Sequence, residues 1–278
     1  MKHMLLTVLG CGSSGGVPRA NGDWGVCDPN EPKNARTRCS LLVEYWEGQA
    51  ESPPKSERTI VLIDTSPDLR AQLLAAKTHR LDAVLYTHDH ADQTHGIDDL
   101  RAVSYTMRKR IPVWMDVDTF DEMDHKFGYC FEMPEGRQHP PILEHMPRLI
   151  PGKPVDISGP GGALEFLPLG LSHGHGPSLG FKFGNAAYAP DVHDIPDDAI
   201  AALYGVDTLI VDALRYHTHP THAHADKTLS WVAKTAARRA VLTNLHIDMD
   251  YATLAAELPK PHTPACDGMQ IALSWSKG

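Results

Sequence analysis

The stretch "LDAVLYTHDHADQTH" (residues 81–95) constrains the fold more than any other part of the chain. An apolar run from Leu81 to Tyr86 stops abruptly at His88, His90, Asp92 and His95. A short apolar run bounded by polar residues predicts a buried strand. Alternate side chains of an extended segment share one side, so His88 and His90 converge. Asp92 follows at the mouth of the next helix. Imidazole and carboxylate donors suit Zn, Mn or Fe. One histidine at a strand end is ordinarily a polar turn residue. His-x-His-x-Asp directly after a buried strand predicts a metal centre.

Four other strand ends repeat the arrangement. Asp64 closes "TIVLID", His173 ends "PLGLSH" with His175 two residues on, Asp191 lies in "AAYAPDV", and His246 lies in "AVLTNLHID". Each alone reads as a cap or turn residue. Together they deliver His or Asp to one edge of a sheet. Further strands are expected in "LLTVLG", "RCSLLVEYW", "IPVWMD", "LEFLPLGL", "SLGFKFG" and "DTLIVDAL". Helical periodicity falls in "SPDLRAQLLAAK" and over about 94–108, 196–204, 224–238 and 250–258. Residues 132–162 are rich in Pro and Gly and read as a surface excursion that shapes a substrate pocket. Strands and helices in both halves predict an α+β fold, one domain over 1–278, with sheet packed on sheet and helices outside.

Composition narrows the partners. The net charge of −9 argues against a protein that grips long nucleic acid, because phosphate backbones need clustered Lys and Arg. A small anionic substrate held by metal ions stays compatible. Five scattered cysteines do not form a disulfide framework and point to a reduced, cytoplasmic setting. The N-terminus "MKHMLLTVLG" is too short and weakly apolar for a secretory signal, and no stretch has the apolar length of a membrane span.

The segments "IDTSPDLR", "THDHADQTHGIDDLR", "LSHGHGPSLGF", "YAPDV" and "TNLHID", in this order, resemble the metallo-β-lactamase superfamily. With "LGCGSSGGVPR" and "HPTH" (219–222), the chain resembles the phosphodiesterase branch that includes the PhnP-type phosphoribosyl cyclic phosphate phosphodiesterases. That resemblance implies a four-layer αββα sandwich and two divalent ions, Zn or Mn. It implies that His88, His90 and His173 hold the first ion, that Asp191 bridges both, and that Asp92 and His246 help hold the second. Asp64 would orient the ligand loop from behind, and His222 would act as general acid or stabilise the transition state. The implied reaction is hydrolysis of a phosphodiester in a small cyclic phosphate or nucleotide, with a metal-bridging hydroxide as nucleophile. The resemblance also implies a homodimer.

Two positions depart from the family pattern. Gln93 stands where that pattern has a histidine ligand, and an amide oxygen is the weaker donor. The second site is therefore expected to bind less tightly or to prefer Mn over Zn, completed by water, by Gln93 itself or by His222. His95, two residues further along the helix, should face elsewhere. Cys27 stands alone where some relatives carry a cysteine-held structural zinc, so none is expected here, and Cys27, Cys39 and Cys266 read as plain thiols. The glycine-rich "GCGSSGG" could cradle a phosphate, but a tight turn explains it equally well. Arg101 should pair with Asp98 or Asp99. "DGM" at 267–269 has no chemistry legible from sequence. The alternative functions are hydrolysis of a lactone or thioester on the same fold, and a catalytically weak nucleotide-binding relative. A tRNA 3′-processing endonuclease is disfavoured by the acidic charge.

Overall fold

The computed structural model describes residues 1–276 except 134, 137 and 175. The first half of the chain builds β1 (Lys2–Gly10), β2 (Ser40–Glu47), β3 (Thr59–Ile63), β4 (Ala83–Leu85), β5 (Ile111–Trp114) and β6 (Leu143–His145). The second half builds β7 (Val155–Gly159), β8 (Gly162–His173), β9 (Gly176–Phe183), β10 (Ala186–Ala189), β11 (Thr208–Asp212), β12 (Arg239–Thr243) and β13 (Thr263–Pro264). The chain then returns, and β14 (Gln270–Trp275) pairs antiparallel with β1. Two seven-stranded sheets result, in the orders β14-β1-β2-β3-β4-β5-β6 and β13-β12-β11-β10-β9-β8-β7.

The sheets pack face to face. Met4, Leu6, Val43 and Val61 of the first meet Phe166, Phe181, Tyr188 and Val241 of the second in one continuous apolar layer. The outer faces are covered as well. Leu42, Ile60 and Leu62 pack under α1 (Leu69–Ala75), α3 (Leu100–Met107) and α4 (Val117–Phe127), and Leu209, Val211 and Leu242 pack under α5 (Asp197–Ala202), α6 (Ala225–Thr235) and α7 (Tyr251–Glu257). This is the expected αββα sandwich. It explains why the runs 60–63 and 209–211 are continuously apolar rather than alternating: every residue of β3 and β11 is buried, one face by a sheet and the other by helices.

Each sheet is half antiparallel and half parallel. The pairs β3–β4–β5–β6 and β10–β11–β12–β13 are parallel. Parallel neighbours end at the same rim, so their C-terminal loops gather there, where open α/β sheets commonly bind ligands. A close approach at Gly96 helps. A Cβ there would lie 2.0 Å from the Ser66 carbonyl oxygen, so only glycine lets the segment after α2 (Ala91–Thr94) rest against the loop that follows β3.

The expected surface excursion at 132–162 is corrected in part. Its later half forms β6 and β7, the edge strands of the two sheets, and Glu132, Met133, Glu135 and His139 line a cleft away from the histidine cluster. α4, β13 and β14 are further elements that hydrophobic periodicity did not reveal. The 94–108 helix is broken into α2, a 3-10 turn at Ile97–Asp99 and α3. No helix among the described residues is long and apolar enough to cross a membrane.

Candidate metal centre

His88, His90 and His173 meet at the sheet rim, with ring centroids 4.5–5.0 Å apart and edges turned to one another. One donor atom from each lies within 4.8 Å of the others, and a second such group is formed by His173, Asp191 and His222. His173 comes from the end of β8, Asp191 from just beyond β10, and His88 and His90 from the loop after β4.

The hydrogen bonds behind these rings set their orientation. Asp64, wholly buried and in the left-handed region at φ 64°, accepts from the Thr87 N–H at 2.8 Å and from the Thr87 hydroxyl at 3.0 Å. A hydroxyl that donates to Asp64 can only accept from His88 Nδ1, 3.0 Å away. His88 therefore carries its proton on Nδ1 and leaves a lone pair on Nε2, which is buried and has no partner. His173 is fixed in the same tautomer: its Nδ1 donates to the Thr221 carbonyl at 2.8 Å, and its Nε2 faces His90 Nδ1 at 3.3 Å. Burial, reinforced by the other imidazoles, holds the His88 pKa well below the usual value and lowers that of His173 to about 4. Both rings are thus neutral at neutral pH, the form that binds metal.

The carboxylates are displaced the other way. Burial raises Asp64 and Asp191 well above the ordinary range, and at Asp191 the charges of Asp92, Asp212 and Asp64 add to it. An orphaned imidazole lone pair beside buried, mutually repelling carboxylates is a donor set that a divalent cation satisfies. The group formed by His88, His90 and His173, with Asp191 next to it, fits that cation.

Three groups escaped the sequence reading. Asp212, at the end of β11, accepts from His222 Nδ1 at 2.8 Å and from the Val192 N–H at 3.1 Å. Asn244, after β12 and at φ 60°, donates to Asp191 at 3.2 Å and to Asp212 at 3.3 Å. Both sit at strand ends of the kind that flagged the other residues, but nothing local shows which strand-end polar residue supports another. A third group is Arg19, from the "GGVPR" turn. It lines the same cavity of about 430 Å³ as His90, Asp92, His173, His222 and His246.

The expected donors to a second metal are placed differently. Asp92 and His246 line the cavity, but neither belongs to a group of three close donors among the described residues. Gln93 is wholly buried, and its amide nitrogen donates to Asp191 at 2.9 Å and lies 3.5 Å from Asp92. His95 turns away, edge-on to Phe127. His219 lines the cavity, and His224 precedes α6 without capping it. His175 lies outside the described residues. Arg101 pairs with Asp98 at 2.6 Å. Asp267 of "DGM" acquires a role: its carboxylate accepts from the Cys11 N–H at 3.1 Å, the Thr37 N–H at 2.7 Å and the Thr37 hydroxyl at 2.6 Å, pinning the loop after β1. A larger cleft of about 1160 Å³ lies between α3, α4 and the segment after α4, but it gathers no comparable set of imidazoles.

Fold and site together define a protein of the metallo-β-lactamase type with a candidate metal centre. Residues 59–247 match the model of the beta-lactamase superfamily domain, and the chain belongs to that family. A solved diphosphatase from the PhnP family is 32% identical, covers 98% of each chain and superposes with a TM-score of 0.84. Zn(2+)-bound PqqB from Methylobacterium extorquens shares the fold at 17% identity, with a TM-score of 0.70 over 96% of this chain and 99% of that one. An octanoyltransferase of Porphyromonas gingivalis (strain ATCC BAA-308 / W83) is 31% identical over 276 residues, 97% of this chain. The chain spans about half, 52%, of the length of that curated relative.

Proposed function

We propose that the protein is a metal-dependent hydrolase of a small phosphate diester, such as a cyclic phosphate or a nucleotide. The observation that carries this reading is the placement of His222 and Arg19 around the same cavity as the His90 and His173 rings. A phosphodiester resists attack because its charge repels nucleophiles and its alkoxide leaves poorly. A divalent cation held by His88, His90, His173 and Asp191 would supply Lewis-acid charge and a water of lowered pKa. The protein's own groups address the remainder. Asp212 holds the proton of His222 on Nδ1, so Nε2 is the atom free to exchange a proton with the departing oxygen. The Arg19 guanidinium offers a permanent positive charge to a phosphoryl oxygen. The 32% identical diphosphatase, also a phosphoryl-group hydrolase, supports the reading.

The same cation chemistry would serve a lactone or thioester, and the octanoyltransferase relative belongs to acyl chemistry, although the chain matches only half of it. An acyl substrate gives no reason for the guanidinium. The test compares turnover of bis-p-nitrophenyl phosphate, cyclic nucleotides, a lactone and a thioester by protein stripped with chelator and reloaded with Zn or Mn. Metal-dependent turnover of the diesters is expected. Turnover confined to the lactone or thioester would replace this reading with the acyl one.

A further inference from the structure

In this structure the donors of the second metal are already engaged by the protein itself. His246 would need a free ring nitrogen. Its Nε2 lies 2.5 Å from Arg19 Nη2 and can only accept from that guanidinium, while its Nδ1 is buried beside the Asp248 carboxylate, 2.9 Å away, with no hydrogen bond to it. Asp191 would need a free oxygen. Its Oδ2 accepts from Gln93 Nε2 at 2.9 Å, and its Oδ1 from Asn244 at 3.2 Å. The orientation of the Gln93 amide follows from its neighbours: with carboxylates of Asp92 and Asp191 on the same side, only the NH2 group can face them. Turned round, the amide would set oxygen against oxygen.

We propose that Arg19, aided by the Gln93 amide, replaces the second metal ion: the centre works with one divalent cation and one guanidinium. Its catalytic consequence rests on the hydrolase reading above; its metal count does not. Three observations support it. The Arg19 backbone is held in a turn, because its N–H donates to the Asp23 carbonyl at 2.9 Å and its own carbonyl accepts from the Gly22 N–H at 2.7 Å, and its guanidinium is anchored by His246. Among the described residues no carboxylate lies within salt-bridge distance of Arg19, so its charge is left for an anion in the cavity. The loop around His246 is braced from behind by the buried Arg36, which donates to the Met249 carbonyl at 2.6 Å and the His246 carbonyl at 3.3 Å. The imidazole is therefore presented to Arg19 by a fixed backbone. A guanidinium stays charged at every working pH and can bind two phosphoryl oxygens at once, which a strongly hydrated divalent ion does at the cost of shedding water. The substitution leaves one cost visible: Gln93 Oε1 is buried without a partner.

The experiment counts metal by native mass spectrometry and by titration with Zn and Mn against a chelator, on the wild type, Arg19→Ala, Gln93→His and the double variant. The wild type should hold one equivalent. Arg19→Ala should tighten a second equivalent at least tenfold, and the double variant should hold two. Inorganic phosphate, measured by calorimetry on the one-metal protein, should bind at least tenfold more weakly to Arg19→Ala, with Arg19→Lys recovering part of the loss. Two tight equivalents in the wild type would overturn the proposal. So would a second-site affinity that Arg19→Ala leaves within twofold. A second equivalent lost in Gln93→Leu would show that the Gln93 oxygen ligates metal, which also overturns it. Arg19 is exposed, so its variants are expected to fold. Diester turnover that needs two metals would keep the hydrolase and discard the arginine. One metal without diester turnover would do the reverse.

Discussion

Thr87 decides which nitrogen of His88 faces the cavity, and it does so because Asp64 decides which way the Thr87 hydroxyl points. Asp64→Asn tests this relay. Asparagine tolerates the positive φ, so the loop is kept. Its NH2 group, however, would face the hydroxyl and turn that proton toward His88 Nδ1, moving the ring proton onto Nε2. Metal affinity should fall about 10–100-fold, the usual cost of losing such an outer partner. Chelator competition measures it, and an affinity within twofold of wild type would refute the relay. Asp212→Asn asks the parallel question of His222. Metal content should not change, while kcat should fall about 100-fold and the acidic or basic limb of the pH profile should move. An unchanged pH profile would reduce Asp212 to packing. The candidate metal-ligand types that gather at the rim were legible in the sequence because His-x-His-x-Asp after an apolar run has few other uses. Asp212, Asn244 and Arg19 were not, because each acts through a partner 10 or more positions away, brought to it by the fold alone.

At the scale of elements, the strands that carry the site were readable because burial on both faces makes them continuously apolar. The edges were not. β6 and β13 are three and two residues long, and β14 alternates buried and exposed positions over only six residues. α4 is rich in Asp, Glu, His and Lys, which blurs its periodicity, although Asp116 caps it by accepting from the Thr119 N–H at 2.9 Å. The late segment matters to the first strand all the same. Asp267 ties Cys11 and Thr37 together just below the loop that carries Arg19. Asp267→Ala leaves those backbone donors without their acceptor and should cost about 3 kcal/mol of stability. Urea unfolding at fixed metal concentration measures it. A loss under about 0.5 kcal/mol would show that water substitutes for the carboxylate.

For the whole molecule, the sandwich concentrates buried charge at one rim, and pH and metal should therefore act together on stability. His173 is lowered to about 4, so between an ordinary imidazole value of about 6.5 and that point the unfolded chain binds a proton the native protein does not. The metal-free protein loses stability as pH falls through that window. Asp191 is raised well above the ordinary carboxylate value, so above that value the native protein must either keep a proton that the unfolded chain has released or bear a buried charge. The metal-free protein therefore also loses stability as pH rises from about 4 toward the raised value. A divalent cation cancels the second loss by neutralising the carboxylate, and at low pH it must compete with protons for the imidazoles. Both effects have the same sign: the difference in Tm between metal-loaded and metal-stripped protein should grow as pH rises from 5 to about 8. At a free metal concentration about one hundred times Kd the stabilisation should reach about 2.7 kcal/mol. Calorimetric scans across that pH range measure the difference. A gap that stays constant, or that widens toward acid, would mean that the carboxylates take no part in holding the cation.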